Sequence, residues 1–342
     1  MAPASGVGVA GEGPGCDTTG PVPDGAPPLR LVITPVPKVN RPFLCWLVLA
    51  LLYGGAVKPC LADGPCAGSL TQRIPARTRA APGGREFMQQ VRGLSDDERE
   101  AAILSQLLRG NLPQFLRQLR PVVMRARLPD GAASEAIVCV SPDYLAVGSD
   151  ADFVLVPMRL RTALTVATGF GFTLPTPKMV DAIYRQAPVH LQPQPLPASD
   201  TMRTSGYYWH HNELVKAQRL TLPEPLGALT AGDKKDLVLT NRLWSNPSRV
   251  AIYGWQQPDG VPIQPLSTVH GLRYADYSHG IRLVSAVAYV DGQARNLLSL
   301  LQDPRAAMLL NNEGAIRDVS ALLQRLLAPG TTPQDGSPHP AP

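Results

Sequence analysis

The chain has 342 residues, 44% of them hydrophobic and 17% charged, with 36 prolines and 30 glycines. Its 32 basic and 27 acidic side chains leave a net charge of only +5 and form no dense Lys/Arg cluster, so the electrostatic footprint of a nucleic-acid binder is lacking. No Gly-x-Ser-x-Gly elbow and no Gly-Lys phosphate loop occurs, and no nucleotide partner is expected.

Residues 1–37 are rich in Gly, Pro and Ala and poor in charge, a composition that cannot bury a core. They read either as a disordered extension or as the product of a start assigned too early. The second is preferred, because an export signal normally begins close to the true N-terminus. Residues 38–62 carry the anatomy of a secretory signal peptide. Lys38 and Arg41 precede the apolar run from Pro42 to Val57, and Cys60-Leu61-Ala62 supplies a small-x-small cleavage pattern. Cleavage after Ala62 removes four basic and three acidic side chains and leaves a net charge of +4. The expected address is secreted, periplasmic or cell-envelope, with no integral membrane span after cleavage. Two cysteines then remain, Cys66 and Cys139. An oxidising compartment allows them to pair. Cys66, however, falls in a Pro/Ala/Gly-rich stretch, 63–86, expected to be a linker. Cys139 lies in the apolar run Ala136-Ile-Val-Cys-Val140 and reads first as a buried core thiol.

Residues 87–328 have the composition of a globular domain, and 329–342 form a Pro/Gly/Thr/Ser tail. Ser95 and Glu98 make a capping box ahead of a helical stripe of Ala101, Ile103, Leu104, Leu107 and Leu108, ended by Gly110. A short helix presenting Phe115, Leu116 and Leu119 follows. Val122 to Arg127 and Glu135 to Val140 are β-prone around a turn at Pro129-Asp130-Gly131. Gly148 to Asp152 has two carboxylates two apart but lacks the later ligands of a calcium loop, and reads as a turn. After a strand at 153–156, helices are expected at 159–168 and 176–187, the latter with Thr176 as N-cap and Pro177 first inside. A proline-rich loop, 188–205, leads to Tyr207-Tyr-Trp-His-His-Asn-Glu213. Asp233-Lys234-Lys235-Asp236 reads as a solvated turn, as short charge runs usually are. Strands at 237–240, 250–254 and 281–290, then helices at 294–301 and 316–327, close the domain. This non-alternating order predicts an α+β fold, a mixed or mainly antiparallel sheet with flanking helices in a single main domain.

Chemistry concentrates between Val269 and Leu283, which hold two of the six histidines, a carboxylate, a hydroxyl and two arginines. His279 stands at a loop–strand junction beside Gly280, where glycine permits close approach of another group. Asp276, three residues earlier, is placed to orient its imidazole. His270 is the second candidate, and the three are the expected catalytic groups. Arg282 is suited to hold an anionic substrate group. Tyr208, Trp209 and His211 bring aromatic faces and a polar head together, as a sugar- or peptide-gripping surface does. The alternative for these aromatics is the core side of an amphipathic helix. No cofactor is expected. A divalent metal such as zinc shared by the histidines is the alternative, without His-x-x-x-His or Cys-x-x-Cys spacing to support it.

Ser278-His279-Gly280-Ile281-Arg282-Leu283 resembles the Ser-His-Gly-Cys-x-Arg signature of the L,D-transpeptidases, secreted enzymes that cross-link peptidoglycan. Val250-Ala-Ile-Tyr-Gly-Trp255 similarly resembles the strand that family places before it. The likeness covers residues 236–290. Gly280 runs directly into Ile281, so the family's nucleophilic cysteine is missing, and Tyr253 stands where the family has an upstream histidine.

These readings converge on a secreted envelope-associated protein. Its expected activity is that of a hydrolase or transferase on a cell-wall or polysaccharide-type polymer, with glycan or peptide as partner. The alternative is a secreted non-catalytic binding or structural domain, in which the same residues form a buried polar network. Mass spectrometry of the natural product should find an N-terminus at Asp63; a dominant species retaining residues 42–62 would exclude cleavage there.

Overall fold

Alternating apolar residues in two facing runs build the first hairpin of the domain. Arg120–Arg127 pairs antiparallel with Ala133–Val140, from Arg120 opposite Val140 to Arg127 opposite Ala133. Gly131, at φ +82°, and the Asp130 carboxylate, which accepts from the Ala132 amide at 3.1 Å, make the expected turn. The computed structural model describes residues 65–66 and 68–328; the expected extension, signal peptide and tail lie outside the described residues.

The hairpin opens a five-stranded antiparallel sheet. Val284–Val290 pairs on one side with Ala133–Val140 and on the other with Phe172–Thr173 at its start and Gln293–Asn296 at its end. Asp291 and Gly292, at φ +48° and +81°, form the tight two-residue turn of that last pair. The turn corrects the helix start expected at Ala294: residues 293–296 are strand. The helix is Leu297–Gln302, capped by the Asn296 side chain, which accepts from the Ser299 amide at 2.9 Å.

A second, four-stranded sheet runs in the order Pro262–Ser267, Ile252–Gln256, Lys235–Leu237, His279–Gly280. Its first two pairings are antiparallel and the last is parallel, Lys235 facing His279 and Asp236 facing Gly280. The strand expected from Ile281 to Val290 therefore starts three residues later, at Val284. His279–Gly280 belongs to one sheet and Val284–Val290 to the other, and Ile281 to Leu283 carry the chain between them.

Helices flank the sheets, giving the α+β architecture that the element order predicts. Asp96–Leu108 has the full Ser95/Glu98 capping box and buries Arg99, Ile103 and Leu107, while Ala101 and Leu108 face solvent. Leu160–Phe170 buries its apolar stripe and stops at Gly171, at φ +88°. Pro177–Gln186 starts with Thr176 capping the Met179 amide. Ser205–Arg219 holds the aromatic–histidine cluster. No helix among the described residues is long and apolar enough to cross a membrane.

The segment expected to be a linker is tied to the domain. Cys66 and Cys139 form a disulfide, which corrects the reading of Cys139 as a free core thiol. Ile74 is buried. Arg77 bonds the Asn111 side chain at 2.8 Å and the Ala81 carbonyl at 2.6 Å, and Arg117 bonds the carbonyls of Ile74 and Pro75. The Pro/Ala/Gly-rich composition concealed this docking because several of its contacts are made to backbone carbonyls, which every sequence has. The disulfide spans 73 residues. Loop-closure entropy for such a span amounts to about 4 kcal/mol. Cys66→Ser, or reduction, should therefore lower unfolding free energy by about that amount in urea titration. An unchanged midpoint would show that the bridge does not restrict the unfolded chain.

Candidate functional site

The loop 268–278 and the short strand after it do bring His279 and Asp276 together, but in a different relation from the expected one. The Asp276 carboxylate accepts from the Ser278 amide at 2.8 Å, the Ser278 hydroxyl at 2.6 Å and the Tyr274 hydroxyl at 2.8 Å. Both ring nitrogens of His279 are buried without a hydrogen-bond partner, so no carboxylate orients that imidazole through a hydrogen bond. At Gly280 a Cβ would lie 2.6 Å from the Tyr144 ring and 2.7 Å from the Lys234 Cβ, so the close approach that glycine permits is taken up by those two side chains. A half-buried stack lies beside His279. The His270 ring lies 4.0 Å from the Tyr274 ring at an interplanar angle of 7°, and the two ring centroids are 6.4 Å and 5.7 Å from that of His279.

The other expected residues take structural as well as chemical positions. Tyr208 is buried, its hydroxyl bonded to the Ala275 carbonyl at 3.1 Å and its ring beneath the Arg99 guanidinium. The core side of the helix has claimed it, and it presents no open face to a sugar. Trp209 is half-buried with Arg85 over its ring at 5.1 Å. Arg282 is buried and directed at protein groups. It bonds the carbonyls of Ser141 at 3.0 Å and Thr230 at 2.7 Å and stacks 4.2 Å from the Tyr144 ring. His211 is fully buried and faces Lys234, whose ammonium lies 3.0 Å from Nδ1 and donates to the Tyr277 carbonyl at 2.6 Å.

Lys234 comes from the run expected to be a solvated turn. That expectation is corrected: Asp233, Lys234 and Asp236 are buried, each to 2% exposure or less. The run leads straight into Leu237-Val-Leu239, and this abutment on a buried strand is the one signal that distinguished it from a surface turn. Tyr144 and Asp143, which carried no motif, and Trp255, the end of the strand quoted for the resemblance, are buried as well. Tyr144 donates to Asp236 at 2.8 Å, and Asp143 accepts from the Tyr144 amide at 2.7 Å. Trp255 has φ +60°, a conformation costly for a bulky side chain, and the Lys235 ammonium lies 4.8 Å from its ring.

Electrostatics divides these groups. Burial lowers His279 to about 4 against a smaller opposing pull from Asp276, and burial with the neighbouring Lys234 drives His211 further down, so both imidazoles are neutral at pH 7. Burial lowers Lys234 to about 8. Burial raises Asp236 to about 7, and burial together with the Asp143 charge does the same for Asp233, neither of whose oxygens has a partner. Asp276 goes the other way. Burial acts to raise it, but His279, Lys235 and the two Ser278 donors hold it below the usual carboxylate range. No grouping of three or more His, Cys, Asp or Glu able to hold a metal ion occurs among the described residues. A depression lined by Arg125, Ser134, Glu135 and Asp291 at the hairpin tip contains none of the expected site residues.

No protein-family model, curated protein or solved structure matches the chain.

The raised carboxyls give a signed pH dependence. Between about pH 4 and pH 7 the native state keeps a proton on Asp236 that the unfolded chain gives up. Its contribution to stability therefore falls as pH rises through that window and is flat above it. The depressed histidines act oppositely below pH 6.5 but cancel in a comparison of variants. Asp236→Asn keeps an acceptor for Tyr144 and does not titrate, so its melting temperature relative to wild type should climb by several degrees from pH 4 to pH 7. A constant difference would mean that the native carboxyl is already ionised at pH 4.

Proposed function

We propose that the protein is a secreted, envelope-associated hydrolase or transferase acting on a cell-wall or polysaccharide-type polymer, with His279 as its proton-accepting group. The observation that carries the reading is the His279 ring itself. Two unpartnered nitrogens on a buried imidazole cost free energy that a structural histidine recovers through hydrogen bonds. Such a group is more readily understood as one that meets its partner during turnover. Burial keeps it unprotonated at neutral pH, and entry of an anionic group beside it would raise its basicity toward the working range. The half-buried pair of His270 and Tyr274 lies against its ring, beside the exposed Arg273 of the loop.

A second reading rests on a different observation. Asp276 is saturated by Ser278 and Tyr274, and Arg282 bonds two backbone carbonyls, as expected of a polar network that pins a loop in a non-catalytic domain. His279→Phe separates the two. The substitution keeps a ring of similar size, removes both nitrogens and orphans no protein group, so stability should hold or rise slightly in either case. If His279 takes the proton, release of soluble fragments from purified cell-wall polymer should fall about a hundredfold or more at unchanged melting temperature. Wild-type turnover, or polymer binding with no turnover in either protein, would end the catalytic reading.

A further inference from the structure

The loop beside His279 is anchored through its backbone at both ends and held between them by side chains. On the N-terminal side the Val250 amide donates to the His270 carbonyl and the Leu272 amide to the Ser248 carbonyl. On the C-terminal side the Tyr277 amide donates to the Met202 carbonyl at 3.1 Å. Between these anchors, the Arg273 guanidinium bonds both oxygens of Asp97, at 2.8 and 2.6 Å, and the Arg273 carbonyl accepts from Arg159 Nε at 2.9 Å. Arg159 is itself paired with Asp97. The neighbouring Asp96 pairs with Arg203, whose guanidinium lies 5.8 Å from the Tyr274 ring. The two aspartates open the helix Asp96–Leu108, so this limb of the loop is tied to a rigid element. The tie is exposed. The side chains of Arg273 and Asp97 are 58% and 60% accessible, and an ion pair in water is weak and screened by salt. Behind it stands the His279 ring, both nitrogens unpartnered, with the Tyr274 ring centroid 5.7 Å away.

We propose that residues 273–275 form a lid on the His279 imidazole, latched shut by the Asp97–Arg273 ion pair, and that releasing the latch admits an outside group to that ring. Two features suit a lid rather than a fixed wall. The limb is held to the helix start by side-chain ties, which water can replace without breaking a strand ladder. Lifting Tyr274 also leaves no carboxylate stranded: Asp276 loses the Tyr274 hydroxyl but keeps the amide and hydroxyl of Ser278. The latch would regulate the site proposed above and to that extent rests on that reading; the motion itself does not.

The test treats the full chain with diethyl pyrocarbonate, which modifies accessible neutral imidazoles, and reads each histidine by mass spectrometry. Wild-type His279 should react slowly at about 10 mM sodium chloride and about two- to fivefold faster at about 0.5 M, where the exposed pair is screened. Arg273→Gln should show the faster rate at both salt concentrations. Asp97→Asn, which releases Arg159 as well, should act at least as strongly, and Arg273→Gln remains informative if loss of a charge from the helix start impairs folding. His211, fully buried against Tyr277, serves as the control and should stay unmodified throughout. A salt-independent wild-type rate, an Arg273→Gln rate equal to that of wild type at low salt, or parallel gains at His211 would overturn the inference. Latch-dependent labelling of His279 alongside undiminished polymer turnover by His279→Phe would remove the catalytic reading and leave the lid standing. Latch-independent labelling alongside lost turnover would do the reverse.

Discussion

The structure turns on a buried guanidinium. Arg282 lies on the three-residue crossing between the two sheets, and it bonds the carbonyl of Ser141, just after the hairpin, and that of Thr230, in a two-residue strand paired with Val189–His190. Further bonds run alongside: the Ser141 amide donates to the Leu283 carbonyl, the Leu283 amide to the Ser141 hydroxyl, and the Leu145 amide to the Ile281 carbonyl. Carbonyls at a crossing have no ladder partner of their own, and left buried and unpaired they would each cost about as much as a lost hydrogen bond. A single residue with five donors in a fixed fork answers two of them. Tyr144 and Asp236 then accommodate the charge, the first by its ring face and the second by proximity.

Around this centre, equal burial produces opposite charge states. Asp276 and Asp236 are both 2% exposed, yet one is held ionised and the other is pushed toward the neutral acid. The difference lies in the donors each carboxylate can gather. Asp276 collects an amide, two hydroxyls and nearby cations, whereas Asp236 has one phenol and shares Arg282 with Asp143. Low dielectric strengthens whichever interactions are present and penalises whatever is missing. A polar interior of this kind sets protonation states by local stoichiometry of donors and acceptors, and those states determine what it can bind.

Local signals carried much of the architecture into the sequence. The Ser95/Glu98 box, Thr176-Pro177, the Pro129-Asp130-Gly131 turn and the alternation of 120–140 act within a few residues, and each appears where expected. The addresses of His279, Asp276 and His211 were legible because imidazoles are rare in this chain, six in all, and a carboxylate falls beside one of them. Their relationships were not. That Lys234 is interior and that the chain passes from one sheet to the other after Gly280 are decided by groups distant in the chain. Residue type marks chemistry, and only the fold says which partner receives it.

Those distances have a consequence for the chain as a whole. Arg282 reaches across 141 and 52 residues to its two carbonyls, Tyr144 across 92 to Asp236, and Lys234 across 43 to Tyr277. No contiguous excerpt shorter than most of the domain contains both ends of these contacts. The polar interior is thus indivisible: a hairpin or helix can form early from its own residues, but this chamber comes into being only when the topology is complete. Modular reuse, in which a loop carries its chemistry to another scaffold, is closed to it, and its history must be that of the whole fold.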